Sequence, residues 1–324
     1  MRCFRGTSYD DFDSFSLVDV PDPVPADNQV LIRVEAAALG FVDGLMVQGR
    51  YQLRPPLPYI PGGELAGVVL ETGAGVKGLR AGDRVVAKRL GGGLAEQICV
   101  DAVDADLLDD RISTSAAAAM LTDYQTSHYA LFDQGRLTAG DRVLVLGAAG
   151  GVGAVAVQMA SRAGAMVIAA ASTEDKRARA RDLGAHACID SSRADWREQL
   201  KLVAPGAAVD IVFDPVGDTF FEPAFRSLAK EGRYLVIGFA AGRIPSLPVN
   251  LALLKNASLI GVDIRHFQAT RPEQASAVRR SIYRMVADGY LKPPTLVTFP
   301  LQQAREALLA TMDRQRHGKV VVLI

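Results

Sequence analysis

The chain has 324 residues, room for one large or two ordinary domains and enough to bury a core without disulfide or metal. Its 36 Lys and Arg balance 36 Asp and Glu, and a net charge of zero argues against a nucleic-acid groove or a polybasic membrane anchor. Apolar residues at 49% and charged ones at 22% fit a globular protein rather than a disordered one.

The first residues carry Asp10, Asp11 and Asp13 and no apolar core, so they do not read as a signal peptide, and a cytoplasmic protein is expected. Cys3, Cys99 and Cys188 are odd in number and far apart, which excludes a disulfide framework and a four-cysteine zinc module. Seven of the 16 prolines lie before residue 62, so the first segment reads as short strands joined by rigid turns. Strands are expected at 29–36, 65–72, 84–88 and 97–100, with little room for helix. Near residue 115 the character changes. Ser113 or Ser115 is a candidate cap for a helix over 116–120, and a second helix is expected over 124–134.

From Ala139-Gly140-Asp141 onward, strands and helices alternate: strand 143–146, helix 152–163, strand 166–171, helix 174–183, strand 187–189, strand 209–213, helix 220–229 and strand 233–237. Alternation at this spacing indicates a doubly wound parallel sheet, and its strands are apolar on both faces, as buried parallel strands should be. The tail returns to a mixture: strand 258–264, helices 272–288 and 301–312, and a closing strand 319–324. The α/β section thus reads as an insertion in a β-rich domain completed by the tail. The longest apolar run, 143–157, holds four glycines and is too short to span a membrane.

The sharpest motif runs from Val143 to Gly153. Four apolar residues feed a turn with Gly147, Gly150, Gly151 and Gly153, and a helix follows. The frame is Ala148-x-Gly150-x-x-Gly153, with Ala at the usual first glycine. Gly150 would let backbone amides approach a pyrophosphate, Gly153 would let the helix pack on the strand, and the helix start favours the anion. The other reading is a tight turn chosen for packing. At the tip of the next strand, Ala171-Ser172-Thr173 lacks the acid that would bond an NAD ribose, and Lys176 follows one turn later. A hydroxyl plus a cation suits a 2′-phosphate, so NADPH is expected over NADH. Glu174 and Asp175 read as first-turn acids matching the helix dipole, though either can instead face the ribose. Arg177, Arg179 and Arg181 read as a solvated face.

These blocks resemble one family nearly end to end. They include Phe41-Val42-Asp43 with Gln48-Gly49-Arg50-Tyr51, Pro61-Gly62-Gly63-Glu64-Leu65-Ala66-Gly67, Tyr124-Gln125-Thr126-Ser127-His128, the glycine turn, Phe213-Asp214-Pro215-Val216-Gly217, Gly238-Phe239-Ala240 and Gly318-Lys319-Val320. The sequence resembles the zinc-free quinone oxidoreductases, the zeta-crystallin-like branch of the medium-chain dehydrogenase/reductase superfamily. The resemblance implies an α/β chain with a Rossmann doubly wound parallel sheet (125–260) inserted in a GroES-like β-rich catalytic domain (1–124 and 261–324). It implies NADPH in the cleft. Thr126 and Asn250 would contact the nicotinamide side, with Val216, Gly238 and Phe239 near it. Ala149, Gly150, Gly151 and Val152 would hold the pyrophosphate, and Ser172 and Lys176 the 2′-phosphate. Arg314 and Lys319 look like C-terminal basic contacts to the cofactor.

Zinc-dependent relatives place a Cys and a His where this chain has Gly40 and Gly63, so no metal is expected. The quinone reductases often carry Asn and Tyr where this chain has Gly40 and Leu45, and a Tyr where it has Ser191. The site is therefore expected to be roomier and more apolar. Tyr51 is the candidate proton donor or substrate-positioning residue. Asp43 and Glu64 are either an acid pair or buried structural carboxylates. The expected activity is NADPH-dependent reduction of a quinone by a homodimer. The alternatives are reduction of an enone, alkenal or enoyl thioester, or a non-catalytic NADPH-binding protein like the crystallins.

Overall fold

The computed structural model of the chain describes residues 1–10, 12–204, 206, 208–313 and 316–324. Two compact units are present, Met1–Thr122 with Arg279–Ile324, and Asp123–Val278. Elements are numbered along the chain.

In the first unit, β1 (Arg2–Gly6) and β2 (Phe15–Asp19) form an antiparallel pair. The main sheet has the order β14 (Leu296–Pro300), β15 (Lys319–Leu323), β3 (Gln29–Leu39), β4 (Glu64–Thr72), β5 (Arg84–Lys88), β7 (Ala105–Leu107), with β6 (Gln97–Asp101) also pairing β3. The tail completes the sheet, because β15 pairs antiparallel with β3 and parallel with β14. Ile32, Leu39, Leu65, Val85, Leu94, Val320 and Val322 fill the core. Helices α1 (Phe41–Val47), α2 (Thr114–Ala118) and α11 (Ala304–Met312) also belong to this unit. Ser113 caps α2, its side chain accepting the Ala116 N–H at 3.3 Å. The expectation of little helix before residue 100 misses α1. It forms because the Asp43 carboxylate turns back to accept the Gly40 N–H at 2.8 Å.

The second unit is a six-stranded, all-parallel sheet. Its order is β10 (Ala187–Asp190), β9 (Met166–Ala171), β8 (Arg142–Leu146), β11 (Val209–Asp214), β12 (Leu228–Val236), β13 (Ser258–Gly261). Val143, Leu144, Val145, Ile211, Val212 and Phe213 are wholly buried, as strands covered on both faces must be. The connecting helices include α4 (Gly151–Arg162), α5 (Glu174–Asp182), α6 (Trp196–Val203), α7 (Phe221–Arg226) and α8 (Asn250–Lys255). α3 (Leu121–His128) continues into a π-helical stretch, Tyr129–Gln134, where a single α-helix is expected from the sequence.

The expected strand 258–264 ends at Gly261. Asp263 there caps α9 (Ile264–Thr270) by accepting the N–H groups of Arg265 and His266. Phe267 of α9 stacks on Tyr129 with centroids 4.4 Å apart, and Gln125 donates to the Ala275 carbonyl at 2.7 Å. These contacts lie within the second unit, which runs to residue 278, within α10 (Pro272–Ala287). Among the described residues, no helix is long and apolar enough to cross a membrane.

Candidate functional site

The chain leaves β8 toward β9 on one side, and later returns to lay β11 on the other. The carboxyl ends of β8 and β11 therefore form the topological switch point where open α/β sheets bind ligands. Four of the sequence-selected segments lie just beyond strand ends: the glycine turn after β8, Ser172 and Lys176 after β9, Val216 after β11, and Gly238 with Phe239 after β12.

The turn is built by close approach. A Cβ at Gly153 would stand 2.2 Å from the Gly147 carbonyl oxygen, so only glycine lets α4 start this near β8. Gly147 itself has φ +58°, in the region that glycine tolerates. Ala149 and Val152 are half-buried, while Gly150 and Gly151 are exposed. The first N–H groups of α4 lack helical partners, as at any helix start, and give an anion its donors. Ser127 ties α3 to this start, its hydroxyl lying 2.8 Å from the Asp123 carbonyl and 2.9 Å from that of Val152. Thr126, next to it, is buried, and its Oγ1 has no hydrogen-bond partner among the described residues. A buried hydroxyl left this way is costly unless a ligand completes it.

At the tip of β9, Ser172 is exposed, and Thr173 caps α5 by accepting the Lys176 N–H at 3.3 Å. Lys176 is half-buried. The Glu174 carboxylate is held by Arg177 at 3.0 Å and Arg181 at 2.5 Å, in keeping with a first-turn acid. Arg177 is not part of a solvated face. Its guanidinium bonds the Ala171 carbonyl at 3.1 Å and reaches Asp190 at 3.2 Å, clasping the ends of β9 and β10.

Asp214 at the end of β11 has no assigned role in the sequence reading, yet it shapes the next loop. Its buried carboxylate accepts the N–H groups of Val216 and Gly217 at 2.8 and 2.9 Å and the Tyr234 hydroxyl at 2.6 Å. Burial raises its pKa, and these three donors oppose that shift. The signal was present: an Asp two residues before a loop N–H, beside Pro215 and Gly217, is turn chemistry. Phe239 and Asn250 are exposed, Asn250 opening α8. Arg314 lies outside the described residues.

Lys319 is placed in the first unit. Its ammonium meets Glu64 at 3.2 Å, in a pair where the side chains are 7% and 10% exposed. Glu64 also accepts the Thr122 N–H at 2.9 Å. Asp43 accepts from Gly40 and Gly62, and burial pushes its pKa up to about 6. Both carboxylates thus follow the structural reading, bonded to backbone N–H groups. Tyr51 is half-buried, packed against the core of this unit.

No cluster of three His, Cys, Asp or Glu side chains occurs among the described residues. Gly40 and Gly63 offer no donor, and a Cβ at Gly63 would lie 2.3 Å from the Arg89 carbonyl oxygen. The gap at Gly40 is, however, not apolar. A Cβ there would have the Lys319 Nζ at 3.7 Å and an Asp43 carboxylate oxygen at 3.8 Å as its neighbours.

Residues 26–110 match the alcohol dehydrogenase GroES-like domain family, and 151–279 match the zinc-binding dehydrogenase family. The chain is 34% identical to rat (Rattus norvegicus) quinone oxidoreductase-like protein 2, over 93% of this chain and 86% of that one. It is similar to the Escherichia coli quinone oxidoreductase crystallised with NADPH, at TM-score 0.92 and 26% identity over the full length of both. The Pseudomonas syringae quinone oxidoreductase aligns at TM-score 0.91 and 26% identity, over 100% of this chain and 99% of that one.

Proposed function

Because the chain belongs to the quinone oxidoreductase-like branch of the medium-chain dehydrogenase/reductase superfamily, we propose that it reduces quinones with NADPH, without zinc. The observation that carries the cofactor is the glycine turn at the switch point; α3, which Ser127 bonds to the start of α4, also carries the orphaned Thr126 hydroxyl. Ala149, Gly150, Gly151 and Val152 hold the pyrophosphate; Ser172 and Lys176 receive the 2′-phosphate. Thr126, Val216, Gly238, Phe239 and Asn250 line the nicotinamide side. The E. coli relative was crystallised with NADPH, which supports the same choice here. Bound NADPH supplies a hydride. The chain's own residues orient the ring and shape the acceptor pocket, and with no metal they must polarise the acceptor by hydrogen bonds and charge.

Tyr51 is the hydroxyl we assign to the acceptor side. Tyr51→Phe should lower turnover roughly tenfold, about 1.4 kcal/mol, if it bonds the acceptor oxygen in the transition state. Unchanged kinetics would make it a wall only. The buried Cys3 and Cys99 and the half-buried Cys188, all free, suit a reducing cytoplasm.

The deciding experiment follows NADPH oxidation against a panel of ortho- and para-quinones, small enones, and saturated aldehydes and ketones. Quinones accept electrons readily and need little polarisation, so they should be reduced fastest, and saturated carbonyls not at all. Faster enones would move the assignment to an enone or enoyl-thioester reductase. NADPH binding without turnover would leave a crystallin-like binding protein.

A further inference from the structure

The second unit holds a cavity of about 580 Å³ bounded by α6, α7 and the loop 243–246 that follows β12. Among the described residues, none of those assigned to the cofactor lines it. Three arginines from three different segments do: Arg197 of α6, Arg226 of α7 and Arg243 of the loop. Only two carboxylates answer them. Glu222 holds Arg226 at 2.7 Å, one turn apart on α7, and Asp218 holds Arg243 at 3.0 Å. In both pairs the arginine is exposed, and exposed pairs contribute little to stability. Arg197 is half-buried. Among the described residues it makes no ion pair and one hydrogen bond, to the Ser227 hydroxyl at 3.3 Å. That hydroxyl itself donates to the Pro223 carbonyl at 2.9 Å. Lys255 adds positive charge nearby: burial, and then the Arg197 charge, hold its pKa below the usual lysine range. A guanidinium has five N–H donors, and holding most of them half-buried without an acceptor is costly. Pro223, Ile244 and Pro245 give the same cavity an apolar wall.

We propose that this cavity binds a small phosphate monoester with an apolar body, and that Arg197 is its main anchor. A carboxylate offers two oxygens, enough for one guanidinium fork. A phosphate monoester offers three terminal oxygens and close to two negative charges, which suits guanidinium groups supplied by three separate segments. Arg226 and Arg243 keep their carboxylates and still have donors to spare. The apolar wall takes the body of the ligand. Binding involves no chemical step, and the site stands independently of the quinone-reductase reading.

Phenyl phosphate is the probe, followed by titration calorimetry with and without saturating NADPH. The unmodified protein should bind it with a Kd below about 1 mM in both conditions. Arg197→Gln should bind it about tenfold or more weakly, the scale of losing a charge-assisted hydrogen bond. Arg197→Lys, which keeps the charge and loses the fork, should fall between the two. Inorganic phosphate should bind about threefold or more weakly than phenyl phosphate, because it leaves the apolar wall unused. The NADPH Kd, read by fluorescence titration, should stay within about twofold in both variants, since Arg197 is not assigned to the cofactor. No binding of phenyl phosphate up to about 10 mM would overturn the proposal. So would a folded Arg197→Gln that binds it as tightly as the unmodified protein. Binding that NADPH abolishes would overturn it too, by placing the phosphate at the glycine turn. Equal affinity for inorganic phosphate would overturn the choice of an organic ligand. If Arg197→Gln fails to fold, Arg243→Gln on the exposed loop decides: weakening of about threefold or more is expected, and an unchanged Kd overturns the site.

Discussion

Glu174 is the first acid after the tip of β9, and Arg177 and Arg181 both hold its carboxylate. A ribose 2′-hydroxyl would have to compete with two guanidinium groups for it. Lys176, one turn along, is the cation we propose for a 2′-phosphate instead. Lys176→Ala should weaken NADPH binding by about 1 to 3 kcal/mol, the scale of a charge-assisted hydrogen bond. NADH binding should barely change, and equal calorimetric affinity for both cofactors in the unmodified protein would refute the preference. A second residue-scale effect comes from His128. It is half-buried, with its ring 4.9 Å from that of Phe132. Burial holds its pKa below the usual histidine range, and Asp133 opposes that shift only in part. The fold therefore prefers the neutral ring. Its contribution to stability is complete above the unfolded-state pKa of about 6.5 and is lost as pH falls through the folded value. Asp43 has the opposite sign, since its raised pKa penalises the ionised form as pH rises toward 6. The test is therefore a difference: His128→Gln should flatten the fall of the melting temperature on acidification. Identical pH profiles for the two proteins would show that the histidine is not responsible.

Among the elements, the approach of α4 to β8 depends on Gly153, whose Cβ would meet backbone atoms of Gly147 and Ala148 rather than a yielding side chain. Gly153→Ala should cost about 1 to 3 kcal/mol of stability, as overpacking does. It should also weaken NADPH binding, because the turn must shift. An unchanged melting temperature and Kd would show that the turn has slack. This contact was legible in the sequence, and so were β5, β9 and most of the alternation from β8 to β12, because buried parallel strands are continuous apolar runs between glycine turns; α6 was missed, and β12 begins at Leu228, where helix was expected. α1 was not legible: its start depends on a carboxylate reaching back to Gly40, and its neighbours read as strand and turn. β1 and β2 were missed because their pairing with each other, rather than an apolar pattern, fixes them. The position of Lys319 was hidden too. Sequence puts it 255 residues from Glu64, and the pairing of both β15 and β4 with β3 brings the two together. Its basic charge alone gave no sign of whether it faces a phosphate or a carboxylate.

At the scale of the whole molecule, β13 is the last strand of its sheet, with one edge unpaired among the described residues. A tail helix covering that edge would bury it, yet Ser258, Leu259 and Gly261 are all exposed. α8 and the residue before it add apolar side chains close by in sequence, Val249 at 78% exposure and Leu253 at 82%, with Leu254 also exposed. An open strand edge beside this much apolar surface invites further pairing. A second copy offers the same edge, and two such edges related by a two-fold axis pair antiparallel and close the assembly, leaving nothing to propagate. We therefore expect a homodimer built on β13 and α8. Sedimentation at micromolar concentration should give twice the chain mass. Leu259→Lys with Leu253→Asp should give monomers, by placing charge on the edge and on the apolar patch. Each monomer should keep its NADPH affinity, since neither residue is assigned to the cofactor. A monomeric mass for the unmodified protein would refute the pairing, and a dimer that survives both substitutions would move the interface elsewhere.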